Sequence, residues 1–337
     1  MTIKRITGVI AAAATIFALT ACGSVGASTD AGAGDSGEKV AVEDITIGFL
    51  QRQLDAPFYS AMQAMAEDIA GDQGFKLLFQ NAAGDPVTQL DQAQTMLSQG
   101  ADVLVINAIS PETQRAQIEQ LADEVPVLFI DTGIPDVGVT SVSSDNYEVG
   151  KLSGGLTAER FEQGSTISVA VLNGGPNDEV VGPARQSGFL DGLEAAGVNY
   201  EVVAEASAVY AQDKAVPATE SMLAAHPDVD LILGLNDSMA LGALTVLNDQ
   251  GNTTTLVAAS ADGQKEALVA IAEGCDARYV STGLNSPALA TERAFEIAIG
   301  LATGEKTADD FKPEEYTEAA GINCDNVADY YDPESVF

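Results

Sequence analysis

The sequence predicts an α/β fold in two similar lobes, each a parallel sheet with helices on both faces. Three observations carry this. Short, near-continuous apolar runs alternate with amphipathic segments of helical length, which is the pattern of strands covered on both sides. These βα units fall into two successive sets. A chain of 337 residues is also too long for one small core and suits two domains.

In the first set the strands are ITIGFL (45–50), KLLFQ (76–80), VLVIN (103–107) and VPVLFID (125–131), with helices expected at 58–72, 87–99 and 111–123. The second set comprises STISVAVL (165–172), YEVVAEA (200–206), LILGLN (231–236), TLVAAS (255–260) and YVSTGL (279–284). Its helices are expected near 146–162, 183–196, 212–225, 238–250 and 264–273. Ahead of both sets, residues 22–43 are mostly Gly, Ala, Ser and Asp and hold too little apolar surface to order themselves, so they read as a flexible tether. Gly32 to Gly37 matches GxGxxG by letter, but no strand precedes it and no helix follows, so it is not read as a phosphate loop.

The first 21 residues read as an export signal. Lys4 and Arg5 precede a 14-residue apolar run from Ile6 to Leu19, too short to span a bilayer, and small residues lead into Cys22. Leu19-Thr-Ala-Cys22 resembles the bacterial lipobox, which implies cleavage before Cys22 and diacylation of its thiol, anchoring the protein without a membrane span. With Cys22 so used, Cys275 and Cys324 remain, a disulfide candidate in an oxidising compartment, the alternative being two separate buried thiols.

The formal charge is −35, and the signal takes two of the 15 basic residues with it. Nucleic acid and anionic membrane surfaces need a basic footprint and are excluded as partners. Enzyme classes fare poorly as well. The one histidine, His226, precedes Pro227 in a helix-to-strand loop, and neither a GxSxG elbow nor a Walker A pattern is present. Carboxylate-only chemistry on glycosides, with Asp131 facing Asp262, stays open as the rival reading. No DxDxDG calcium loop exists, and Asp228 with Asp230 reads as part of a solvated loop. No catalytic residue, metal or cofactor is expected.

Open parallel sheets bind ligands beyond the carboxyl ends of their strands. Asp131, Asn236, Asp262 and Asn285 stand at or just past four such ends. Any one of them could be a turn or cap residue; four at equivalent ends point to a site. Arg185, beside the Asn173-Gly-Gly-Pro-Asn turn, offers a planar two-pronged donor. Phe58 and Tyr59 follow the first strand, and Tyr210 follows the strand 200–206, each placing an aromatic face near a strand end.

These residues resemble the type I periplasmic-binding-protein family, in particular its ribose-binding-like sugar receptors. The likeness covers about 44–312. It rests on Asp55-Ala-Pro-Phe-Tyr59, Val142-Ser-Ser-Asp-Asn146, Ala224-Ala-His-Pro-Asp228 and, most specifically, Asn236-Asp-Ser-Met-Ala-Leu-Gly-Ala243. The resemblance implies two Rossmann-like lobes joined by a three-strand hinge and closing on one sugar. It divides the chain into 44–144 plus 286–312 for the N-terminal lobe and 145–285 plus 313–337 for the C-terminal lobe.

By the same resemblance Phe58 and Tyr59 stack on the sugar, Asp131 accepts from its hydroxyls, and Tyr210 is the second stacking aromatic. Arg185, Asn236, Asp262 and Asn285 supply the polar contacts of the second lobe and hinge. Ribose receptors carry asparagine just before Pro57 and arginine just after Asp131, where this chain has Ala56 and Thr132, so two hydroxyl donors are either missing or supplied from elsewhere, with Asp55, Arg52 and Gln51 of the first loop as candidates. These departures leave ribose itself unsupported. The expected role is that of a monomeric, lipid-anchored receptor, on the cell surface or in the periplasm, that delivers a monosaccharide or polyol to an ABC transporter permease. A receptor that signals instead of feeding an importer shares every one of these features.

Overall fold

The computed structural model describes residues 39–176 and 178–337. The export signal, Cys22, the GxGxxG match and most of the tether lie outside the described residues. In chain order the first elements are β1 (Thr46–Gln51), α1 (Pro57–Gln73), β2 (Lys76–Asn81), α2 (Pro86–Ser98), β3 (Val103–Ile106), α3 (Pro111–Ala122), β4 (Val127–Ile130) and β5 (Ser141–Ser143). There follow α4 (Asn146–Ala158), β6 (Thr166–Asn173), α5 (Val181–Ala195), β7 (Asn199–Ser207), α6 (Gln212–Ala225), β8 (Leu231–Gly234) and α7 (Asp237–Asp249). The remainder is β9 (Leu256–Ala259), α8 (Lys265–Ile271), β10 (Ser281–Gly283), α9 (Pro287–Ala302), β11 (Glu314–Tyr316) and β12 (Gly321–Asn323).

The first lobe is a parallel sheet in the order β2-β1-β3-β4-β5-β11. Both of its faces are covered, as the continuous apolar runs require. Along β3, Val103 and Val105 join a core with α1 and α9, while Leu104 and Ile106 join another with α2 and α3. Proline opens α1, α2, α3 and α9, where a missing N–H costs nothing. The second lobe is a parallel sheet, β7-β6-β8-β9, built around a single core.

Three segments cross between the lobes: β5 to α4, β10 to α9, and β11 to β12. They are tied to one another. The Ser144 hydroxyl donates to Asn285 Oδ1 at 2.7 Å and lies 3.0 Å from the Thr317 hydroxyl. Leu284 N–H donates to the Ala320 carbonyl, and β10 pairs with β12 antiparallel.

Three expectations are corrected here. The segment from 313 was assigned to the second lobe, yet Glu314–Tyr316 extends the first sheet alongside β5 before the chain crosses for the third time. Three residues carry too little periodicity to reveal a strand whose partner lies 173 residues away. The tether was drawn to residue 43, but Val40 N–H donates to the Thr303 carbonyl and Val42 packs on the first-lobe core. Helix α4 ends at Ala158, short of the expected 162, and is followed by turns. Cys275 and Cys324 form a disulfide, their Cα atoms 5.1 Å apart. No described helix is long and apolar enough to cross a membrane.

Helices α4 and α5 touch backbone to backbone. A Cβ on Gly154 of α4 would sit 2.0 Å from the Phe189 carbonyl oxygen, and one on Gly188 of α5 would sit 2.0 Å from that of Tyr147. This seam brings the start of α4 against the second turn of α5. Gly154→Ala is therefore expected to force the helices apart and cost on the order of 1–3 kcal/mol. Chemical denaturation of the variant against the parent checks this; an unchanged midpoint would contradict the seam.

Candidate functional site

One cavity of about 170 Å3 lies between the lobes, lined by Phe58, Tyr59 and Asp131 from the first and Arg185, Tyr210, Asn236 and Asp262 from the second, with Asn285 from the hinge. Eight of the nine residues expected to bind ligand thus meet at one place. Asp55 does not. It is exposed and lines a separate crevice with Gln212 and Ser238. Arg52, at the end of β1, lines the cavity instead.

The second-lobe half is a connected set of polar bonds. Arg185, 3% exposed, pairs through Nη1 with Asp262 Oδ1 at 3.2 Å and donates to the Leu235 carbonyl at 3.1 Å. Its Nε donates to Asn146 Oδ1 at 2.8 Å, a contact the α4–α5 seam makes possible. Asn285 Nδ2 donates to the same Asp262 oxygen at 3.0 Å. Asn236 caps α7, accepting from Met239 N–H at 3.0 Å. The Tyr210 hydroxyl donates to Asp178, and its ring lies 5.9 Å from the Arg185 guanidinium carbon. Burial, together with Asp178, holds the Tyr210 phenol well above its ordinary range.

The first-lobe half is organised by Asp131. Asn107 Nδ2 donates to Asp131 Oδ2 at 3.2 Å and to Gln51 Oε1 at 2.9 Å. Burial pushes the Asp131 carboxyl up, against the opposing pull of Arg52 and Arg185. Arg52 Nη1 donates to the Thr132 hydroxyl at 3.3 Å, and the guanidinium lies 6.0 Å from the Tyr59 ring centre. Burial opposes the Arg52 charge, but Tyr59, Asp131, Tyr210 and Asp178 around it together hold the guanidinium above its ordinary value.

Backbone strain concentrates here. Asp131 (φ 63°), Val209 (44°), Tyr210 (62°) and Asp262 (137°) all adopt the left-handed region, a conformation costly for side-chain-bearing residues and most so for β-branched valine. Sequence reasoning missed Asn107, Asp178 and Asn146. Asn107 ends the run VLVIN and carries the same strand-end signal as the others. Asn146 closes the Val142-Ser-Ser-Asp-Asn146 motif but had no role assigned to it, and Asp178 lies in a loop where no spacing marks it.

Two guanidiniums face four carboxylates across the lining, Asp131, Asp178, Glu179 and Asp262. Such a balance repels an anionic ligand. What remains is a set of fixed donors and acceptors with aromatic faces, suited to hydroxyl groups and C–H surfaces.

A family model described as a periplasmic binding protein domain matches residues 47–306. The chain belongs to that family. A ribose import binding protein of Bacillus subtilis is 31% identical over 293 residues, covering 86% of this chain and 91% of the relative. A xylitol-binding protein of Mycolicibacterium smegmatis is 24% identical over 319 residues, 93% of this chain and 86% of the relative. Among solved structures, an ABC transporter solute binding protein from Mycobacterium smegmatis with bound glycerol superposes with a TM-score of 0.77 at 28% identity, covering 86% of this chain and 98% of that one. The chain is accordingly a substrate-binding protein of an ABC transporter rather than an enzyme, and the family is extracytoplasmic.

Arg185 and Asp262 pair within one lobe, so the pair needs no ligand to complete it. Asp262→Ala leaves a buried guanidinium without its counter-charge and is expected to cost the ligand-free protein about 3–5 kcal/mol. Thermal unfolding without sugar measures this; a midpoint equal to the parent's would mean that the pair contributes nothing until ligand binds.

Proposed function

We propose that the chain is a lipid-anchored receptor that takes a neutral monosaccharide or sugar alcohol from the extracytoplasmic space and presents it to an ABC permease. The observation that carries the ligand class is the net acidic cavity, where two guanidiniums stand against four carboxylates, Arg185 is already paired with Asp262, and aromatic rings stand in the wall. A neutral polyol adds hydroxyls to existing acceptors and donors without bringing a charge that must itself be neutralised. A volume of about 170 Å3 is below the 300–1,000 Å3 of sites for drug-sized molecules, which favours a single sugar unit. Relatives named for ribose and xylitol, and the structure holding glycerol, support the same class.

Affinity follows from closure. Each lobe brings its half of the hydrogen bonds, so the ligand is desolvated only when the lobes meet. Bonds to charged groups contribute about 1.5–3 kcal/mol each, and three or four suffice for micromolar binding or better.

Two outcomes test this reading. Titration calorimetry of the chain without its export signal, against pentoses, hexoses, pentitols and inositols, is expected to give binding to at least one member. Asp131→Ala should weaken that binding more than tenfold. The corresponding sugar phosphates and aldonic acids should give no heat. Silence across the neutral panel, or preference for the acids, would remove the proposed ligand class. The anchor rests on the Leu-Thr-Ala-Cys22 sequence. Cys22→Ser should shift the exported protein from the membrane fraction to the soluble one, and unchanged fractionation would rule out lipidation there.

A further inference from the structure

Beyond the domain matched by the family, the chain continues through a segment that touches both lobes. Ile322 and Val327 are buried in the second-lobe core, with Tyr330 packed against it, and Cys324 is bonded to Cys275 of the same lobe. Further on, Lys265 at the start of α8 donates through Nζ to the Pro333 and Ser335 carbonyls at 2.5 and 3.0 Å. A local turn then forms, in which Ser335 N–H donates to the Asp332 carbonyl and Phe337 N–H to the Ser335 hydroxyl. Phe337 leaves the second lobe altogether. Its ring packs edge-on against Phe58, centroids 5.7 Å apart at 76°, and it joins the first-lobe core.

Phe58 lines the sugar cavity and meets Tyr59 edge-on at 5.6 Å; Arg52 stands over Tyr59 in turn. Phe337 is therefore the outer member of an aromatic row that ends in the ligand-facing wall.

We propose that residues 331–337 are a strap between the lobes, riveted to the second lobe by Lys265 and the Cys275–Cys324 bond. Phe337 acts as a positioning residue that holds the Phe58 ring and favours the closed arrangement of the empty receptor. The proposal rests on the reading of the cavity as a closing ligand site, but not on the identity of the sugar. Parting the lobes must break the Phe337–Phe58 contact or pull the strap from Lys265, so the contact's free energy adds to that of the closed state. An aromatic pair of this geometry biases the equilibrium about three- to tenfold.

The test needs no ligand. Small-angle scattering of the full mature chain, compared with Phe337→Ala, is expected to show a larger radius of gyration and a greater open fraction in the variant. Phe337→Leu, which keeps an apolar side chain on Phe58, should recover part of the difference. Lys265→Met, which frees the other end, should open the protein in the same direction. An equal melting temperature for parent and variants separates opening from misfolding. With ribose and xylitol as probes, any detectable dissociation rate should rise about three- to tenfold in Phe337→Ala, with the association rate nearly constant. Superimposable scattering curves for parent and Phe337→Ala overturn the strap, whether or not either probe binds. Failure of both probes with the scattering change present would count against the ligand class alone.

Discussion

A guanidinium buried in the middle of a protein has to be answered on all sides, and Arg185 sets that demand for the second lobe. Its counter-charge comes from Asp262 beyond β9, its other acceptors from Leu235 beyond β8 and Asn146 at the start of α4. No single element could supply these. They converge because parallel strands all end at the same edge and because glycines let α4 and α5 approach until their backbones touch. Removing any one partner leaves a desolvated charge, and because all the partners belong to the same lobe, this half of the cavity needs no ligand to complete it.

That preformation explains the strain in the lining. Four cavity residues sit at positive φ, two of them consecutive, and such conformations persist only where surrounding structure over-determines them. The bonds around Arg185 and Asp131 provide that determination. Holding the site rigid leaves little side-chain entropy to lose on binding, so fewer contacts are needed for a given affinity. Deeper in the second lobe Asp237, buried beside Asp262, is pushed up to about 7 by burial and accepts from the Gly263 and Gln264 amides. It fixes the backbone immediately after Asp262, the carboxylate that lines the cavity.

The hinge is chemically continuous with the site. Asn285 donates to Asp262 and accepts from Ser144, which in turn meets Thr317, so all three crossing segments connect to one cavity oxygen through two side chains. A ligand that draws on Asp262 acts on the same network that the lobes rotate about. The crossing of Glu314–Tyr316 into the first sheet completes this arrangement: without it the third segment would have no anchor on the first lobe.

The repeated apolar runs determined the α/β class, the two lobes and the edge at which the cavity lies, because those depend on short-range periodicity and on a rule common to all parallel sheets. That edge was enough to mark Asp131, Asn236, Asp262 and Asn285. The sequence also carried the signal that Arg185 belonged to a site, though not that it would be ion-paired. Tertiary structure alone decided that Asp55 faces solvent while Arg52 lines the cavity, since two residues three apart in a loop differ only in how the chain turns. It alone brought Asp178 to Tyr210, Glu314–Tyr316 beside β5, and Phe337 onto Phe58. Each of those contacts joins positions whose own neighbourhoods carry no pattern, and their energy comes from partners far away along the chain.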